Sequence, residues 1–406
     1  MRLSTELQIL IEACKISLLD VKPDVLEELV SHPSVHWKRL TQMAAYHKVR
    51  PIVYAAFKKC SPHKIPVSYL EQYQHRALQH SMHNLLMDQE TARLLNLLKK
   101  KQVRVLPYKG SLLSHKIYQN NGLREVGDID LYLPREEAQA GLEVLLEDGY
   151  EFEFKGTLPP NISTPQLIKD VLSIYGWHEV ALKKQSQQGI TFYIDFHWRL
   201  SEAFYWYTIK DNTLFQHTQT LKIHQTEVDI PSDENIFLMM LVHHGGREAW
   251  LQLKSLCDLL MFFKTHQNYM DWQQLLQTAE KAKMKRILLG GTWLVEHFLG
   301  YPVPAVFSNH WSHDKSSYRA EEVVLYWEKS EVFWSQLGPK WRHTRLILSQ
   351  QDAGFSKLKY FKNYLRFYAT PNLLEEPRLF TFPDHMPYLN FLSKVLTFFW
   401  RKVLKR

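Results

Sequence analysis

The chain of 406 residues holds only three cysteines, Cys14, Cys60 and Cys257, far apart and in no CxxC spacing. That excludes a disulfide framework and a cysteine-based zinc finger, and it predicts a protein of the reducing cytoplasm. No apolar run reaches the roughly 20 residues of a membrane span. The opening residues, MRLSTELQILIEACKISLLD, mix charges into their apolar positions and lack a signal-peptide core. HExxH spacing is missing, as are internal repeats and low-complexity segments. Ser68 to Lys101 contains neither proline nor glycine, so nothing interrupts one long helix there.

What is present describes a folded, mildly basic protein. Hydrophobic residues make up 45% of the chain and aromatics 13%, enough for a packed core. The length allows two or three domains. A net charge of +8 ranks acidic partners first: phosphates, nucleic acid or an anionic membrane face. Three regions differ in pattern. Residues 1–101 read as helices, with Leu7, Leu10, Cys14 and Leu18 on one stripe and Leu78, Met82, Leu85 and Leu86 on another. Residues 102–230 alternate strands and helices. Residues 231–406 return to helix, starting at the Ser232 cap and ending in an aromatic, basic segment, Leu389 to Arg406. The expected class is α+β, a small mixed sheet flanked by all-helical regions.

The chemistry concentrates in Val103 to Leu133. The apolar run Val103 to Leu106 reads as a strand, Lys109-Gly110-Ser111 as the turn into a short helix, and Asp128-Ile129-Asp130-Leu131 as a second strand. Alternation along a strand sends Asp128 and Asp130 to one face and Ile129 and Leu131 to the core. Paired carboxylates suit divalent metal, and a glycine-containing helix start suits phosphate. A solvated strand end and an ordinary turn would show the same residues. Asp195 adds a third acid inside the apolar strand Phe192 to Phe196, where an unpaired carboxylate is costly to bury. Either it faces a site, or it pairs with Arg199 or Arg124. His197 shares its face.

Elsewhere the candidates are weaker. His243 and His244 are adjacent and point in different directions on a helix, which does not support zinc. Asp258, inside an apolar helix, reads as an internal anchor. The terminal helix, ending Arg401-Lys402-Val403-Leu404-Lys405-Arg406, could lie on an anionic membrane surface. The preferred expectation is that it docks its aromatics onto the domain and leaves a solvated basic tail.

Several of these stretches together resemble the bacterial nucleotidyltransferase family labelled uncharacterised, a branch of the DNA polymerase β-like superfamily. The resemblance is carried by Leu106-Pro107-Tyr108-Lys109-Gly110, Arg124-Glu125-Val126-Gly127-Asp128-Ile129-Asp130-Leu131, Gly149-Tyr150, Ile194-Asp195-Phe196-His197-Trp198, His244-Gly245, Leu253-Lys254, Cys257-Asp258-Leu259 and Asp271-Trp272. It implies three acids, matched here by Asp128, Asp130 and Asp195, binding two divalent ions, Mg2+ or Mn2+. It places Lys109, Gly110 and Ser111 at the superfamily's phosphate loop, although the interval from Gly110 to Asp128 is longer than in minimal nucleotidyltransferases. The expected activity is transfer of a nucleoside monophosphate from a nucleoside triphosphate, with ATP the expected donor, to an acceptor. That acceptor could be a small molecule, peptide, protein or RNA, and pyrophosphate is released. The alternative is a non-catalytic nucleotide- or nucleic-acid-binding regulator that keeps the fold.

Overall fold

The structure, a computed structural model, describes residues 3–404 apart from 121, 155–162, 206, 208, 210–212, 312–315, 329–336, 353–356, 371–377 and 384–385. Pro159, Pro160, Lys405 and Arg406 thus lie outside the described residues. The protein is α+β. Five strands form the main sheet: β1 (Leu106–Pro107), β2 (Ile129–Tyr132), β3 (Glu151–Phe152), β4 (Glu179–Gln185) and β5 (Thr191–His197). Their order is β1-β2-β5-β4-β3; β2 and β5 run parallel, and the other pairs are antiparallel. A separate hairpin pairs β6 (Thr218–Ile223) with β7 (Thr226–Pro231).

The structure departs from the sequence expectations at three places. The first strand is two residues at Leu106–Pro107, not the Val103 to Leu106 run. Thr164–Ser173 is a helix, although Pro165 reads as a loop residue in the sequence; it sits in the first turn, where a missing N–H costs nothing. The β6–β7 hairpin was not anticipated.

The Val67–Lys100 helix is unbroken, as its composition demands. It turns the other way from the expected leucine stripe, however. Leu78, Met82 and Leu85 are exposed, whereas Tyr73, Ala77, Asn84, Met87, Thr91, Leu94 and Leu98 are buried. The reason is the backbone it covers. The Asn84 side chain donates to the Arg124 carbonyl (2.7 Å) and accepts from the Val126 N–H (3.3 Å). Those residues enter β2 without ladder partners, so a buried amide on the helix satisfies them.

Buried apolar side chains from Leu7 to Ile347 form one continuous cluster, in which the helical regions and the sheet share a core. Cys14 and Cys257, both free thiols, meet inside it with Sγ atoms 3.5 Å apart. His47 is a second junction. Its Nε2–H donates to the Trp327 carbonyl (2.9 Å), and its Nδ1 accepts from the Leu253 N–H (3.2 Å). Both ring nitrogens are used by the neutral form alone, and burial pulls its pKa down to about 4. Because the folded value lies below the unfolded value of about 6.5, stability is complete above pH 6.5 and falls as the pH drops towards 4. The slope is about 1.4 kcal/mol per unit. Urea unfolding at pH 7 and pH 5 should show His47→Gln less stable at pH 7 but with a shallower pH dependence. An unchanged slope would assign the proton uptake to another group.

No helix among the described residues is long and apolar enough to cross a membrane.

Candidate active site

The pairing of β2 with β5 builds the site. Asp130 and Asp195 are register partners on adjacent parallel strands, and Tyr132 and His197 are partners two residues on. Residues opposite one another share a face, so Asp130, Asp195 and His197 stand together while Ile129, Leu131, Ile194 and Phe196 enter the core. The alternation expected for this stretch is therefore present. Asp128 lies one residue before β2 rather than within it. On the far side β4 contributes Glu179, the register partner of His197.

All three aspartates face a cavity of about 550 Å³. Lys109 and Gly110 line it too; Ser111 is buried behind them and does not. The turn is held tightly. Lys109 has φ +63 and Gly110 φ +32, backbone that costs energy at lysine and is natural to glycine. A Cβ on Gly110 would sit 3.3 Å from the Asp128 carbonyl oxygen and 3.8 Å from Asp130 Oδ2. Lys109 Nζ lies 2.8 Å from Asp130 Oδ1, so its charge meets the acid row directly.

The carboxylates do not share one electrostatic state. Burial opposes ionisation of Asp130, but Lys109 and His197 (Nε2 to Oδ1, 3.1 Å) hold its pKa below the usual range. Asp195 has no ion pair of its own among the described residues, and the charge of Lys109 only partly offsets what raises it. Burial, then the charges of Asp130, Asp128 and Glu179, push it up to about 8. Asp128 is raised as well, chiefly by Asp130 and then by burial, with Lys109, Lys254 and Lys48 acting against the rise. Acids crowded together with raised pKa values are a mark of functional sites.

Beside the row runs a chain of charges through His197 and along the cavity wall. His197 Nδ1 lies 3.1 Å from Glu179 Oε2, and Arg247 bridges Glu179 (3.4 Å) and Glu202 (3.3 Å). His197, buried behind the row, thereby links Asp130 to Glu179 and Arg247, which line the cavity themselves. Arg247 and His243 come from a π-helical turn, Leu241–Arg247, a local geometry often found at functional sites. At its other end the cavity meets Arg124, which Asp258 grips with both carboxylate oxygens (2.9 and 3.0 Å). Arg124 also donates to the Gly110 carbonyl (3.1 Å), tying the turn to the helical region. Asp258 is the internal anchor its sequence context suggested, and Arg124 is its partner rather than that of Asp195. His243 and His244 lie with Glu248 in a compact group, although adjacent histidines gave no metal signal in the sequence.

The acid row fits a divalent cation. Ligand atoms of Asp130, Asp195 and His197 all lie within 4.8 Å of one another, and the crowding that raises the Asp195 pKa is the kind a cation relieves. The cavity also holds two lysines that motif reasoning passed over, Lys48 and Lys254. Neither forms an ion pair among the described residues, and burial with repulsion from Arg124 and Lys48 brings Lys254 down to about 7. Leu253-Lys254 enters the sequence reading solely within the family resemblance, and Lys48 had no signal at all. Glu179 had one: an acid in an apolar strand, the same cue that singled out Asp195.

An acid row on paired strands, next to a glycine turn and unpaired lysines, is an arrangement suited to transfer of a phosphate-bearing group. The chain belongs to the uncharacterised nucleotidyltransferase family, whose sequence model matches residues 33–300. No curated protein matches the chain. Among solved structures it is similar to an antigenic nucleotidyltransferase-like protein from Paracoccidioides brasiliensis, with 14% identity and a TM-score of 0.31, covering 55% of this chain and 97% of that one.

Proposed function

We propose that the protein transfers a nucleoside monophosphate from a nucleoside triphosphate, ATP being the expected donor, to a hydroxyl on an acceptor. The observation that carries this reading is the β2–β5 register, which sets Asp130 beside Asp195 with Asp128 at the strand mouth. Asp128, Asp130 and Asp195 would hold Mg2+ or Mn2+, which when bound neutralises phosphate charge and makes the acceptor hydroxyl more acidic. Asp195 orients that hydroxyl and takes its proton as the new oxygen–phosphorus bond forms at the α-phosphate. The bond from the α-phosphate to the bridging oxygen breaks, and pyrophosphate leaves. Lys109 holds Asp130 ionised and adds positive charge at the glycine turn. Lys48 and Lys254, without an ion pair among the described residues and both lining the cavity, receive the β- and γ-phosphates, the role the sequence assigned to the Lys109–Ser111 loop.

Incubation with α-labelled nucleoside triphosphates, divalent metal and cell extract tests the reading. Label should appear on an acceptor with the wild type and disappear with Asp128→Asn. Nucleotide binding with no transfer in any extract would favour the non-catalytic alternative. Lys254→Met should raise the KM for the triphosphate by about tenfold while changing kcat less, since it removes one charge-assisted contact. An unchanged KM would take the polyphosphate away from that wall.

A further inference from the structure

The Pro387–Leu404 helix is built inside out. Asn390, Ser393 and Thr397, spaced three and four apart, are its buried face. They bind the backbone of residues 379–382. Asn390 donates to the Phe382 carbonyl (2.9 Å) and accepts from its N–H (2.8 Å), Ser393 donates to the Phe380 carbonyl, and Thr397 accepts from the Leu379 N–H (3.0 Å). Arg378 joins this seam to the neighbouring Lys357–Ala369 helix by donating to the carbonyls of Ala369 (2.7 Å) and Asn390 (2.9 Å). The amide and hydroxyl side chains of Asn390, Ser393 and Thr397 are thus used within the protein.

What remains outside is apolar. Leu389, Phe391, Leu392, Leu396, Phe399 and Trp400 are between 38% and 58% exposed. This reverses the expectation that the aromatics dock onto the domain: the neighbouring helix exposes Leu358 and Phe361 besides. Large exposed apolar surfaces of this kind mark interaction sites. The charge selects the partner. Neither helix contains an aspartate or glutamate. The Lys357–Ala369 helix carries Lys357, Lys359, Lys362 and Arg366, and the terminal helix Lys394, Arg401 and Lys402. Exposed leucine and aromatic side chains on helices of net positive charge with no acid suit the boundary between acyl chains and anionic headgroups, even though Lys394 donates to the Tyr368 carbonyl and Arg366 stacks on Tyr175.

We propose that this face docks in the plane of an anionic lipid surface, making the two C-terminal helices a peripheral membrane anchor. The proposal stands apart from the nucleotidyl-transfer reading and requires no turnover. The two are close in space, because the Lys357–Ala369 helix supplies Tyr360, Tyr364 and Tyr368 to the wall of the active-site cavity.

Flotation of the full chain with vesicles tests it. The protein should float with vesicles of equal parts phosphatidylcholine and phosphatidylglycerol, remain below with phosphatidylcholine alone, and be partly released by high salt. Phe399→Glu with Trp400→Glu, and separately Leu392→Glu with Leu396→Glu, should lower the bound fraction about tenfold. Leu78→Glu with Met82→Glu, at exposed apolar positions on the Val67–Lys100 helix, should bind as the wild type does. All these positions are solvent-facing, and matching melting curves would show the variants folded. Absence from anionic vesicles, equal and salt-insensitive binding to neutral ones, or equal loss in the Leu78 and Met82 variant would each overturn the proposal. So would a dimer in light scattering that the terminal-helix substitutions break while vesicle binding is absent, since the face would then belong to a second copy.

Discussion

Asp130→Asn is expected to lower nucleotidyl transfer by on the order of a thousandfold, with a melting temperature close to that of the wild type. The substitution keeps shape and one oxygen but removes the charge that Lys109 and His197 hold in place. Of the three acids it is the one kept ionised by its surroundings, so its charge is the part of the site that neighbours cannot replace. Transfer of α-labelled phosphate measures the rate, and titration calorimetry with Mn2+ measures whether cation affinity falls with it. A loss below tenfold would remove Asp130 from the chemistry. Ser111→Ala, altering a residue behind the cavity wall, should change the rate by no more than about twofold.

The second large effect is on stability. Asp258→Ala should destabilise the fold by about 3–5 kcal/mol, because it strips the partner from a fully buried Arg124. It also removes the acceptor of the Tyr118 hydroxyl (2.9 Å) and the contact to His244 Nε2 (3.0 Å). The carboxylate is held well below its usual pKa despite burial, by Arg124 first and His244 next, so the charged form is the one the fold selects. Urea unfolding at neutral pH checks the value. Arg124→Met combined with Asp258→Leu should recover much of the loss, since an apolar pair leaves no unmatched charge. If the double variant is as unstable as Asp258→Ala, the defect lies in packing instead.

The legible parts of this protein were those written in short-range pattern. Asp128, Asp130 and Asp195 stood out because strand alternation and an acid among apolar neighbours are both local signals. Their juxtaposition was not local: it depends on β2 pairing in parallel with β5 across a long crossover, and the resemblance, not periodicity, supplied that order. Glu179 carried the same local cue as Asp195, but its place beside His197 came only with the register of β4 against β5. Lys48 and Lys254 lie far apart in sequence and meet at the cavity because His47 bonds to the backbone where the Leu253–His266 helix begins. The exposed leucines of the Val67–Lys100 helix and the outward aromatics of the terminal helix misled for one reason. In both, backbone without a partner nearby drew amide and hydroxyl side chains inward, and the apolar stripe was left on the other side.

The β2–β5 pairing also bears on how such a site can diversify. Asp130 and Asp195 are aligned by hydrogen bonds between their own strands, not by the chain that connects them. Loops between the two strands can lengthen, shorten or change composition without moving either carboxylate, so long as the count within each strand is kept and β4, which pairs with β5 and carries Glu179, keeps its register. A one-residue slip within either strand would instead turn its acid into the core. Change is therefore accommodated in the connecting loops and resisted in the strands, which separates what shapes the cavity rim from what aligns its acids.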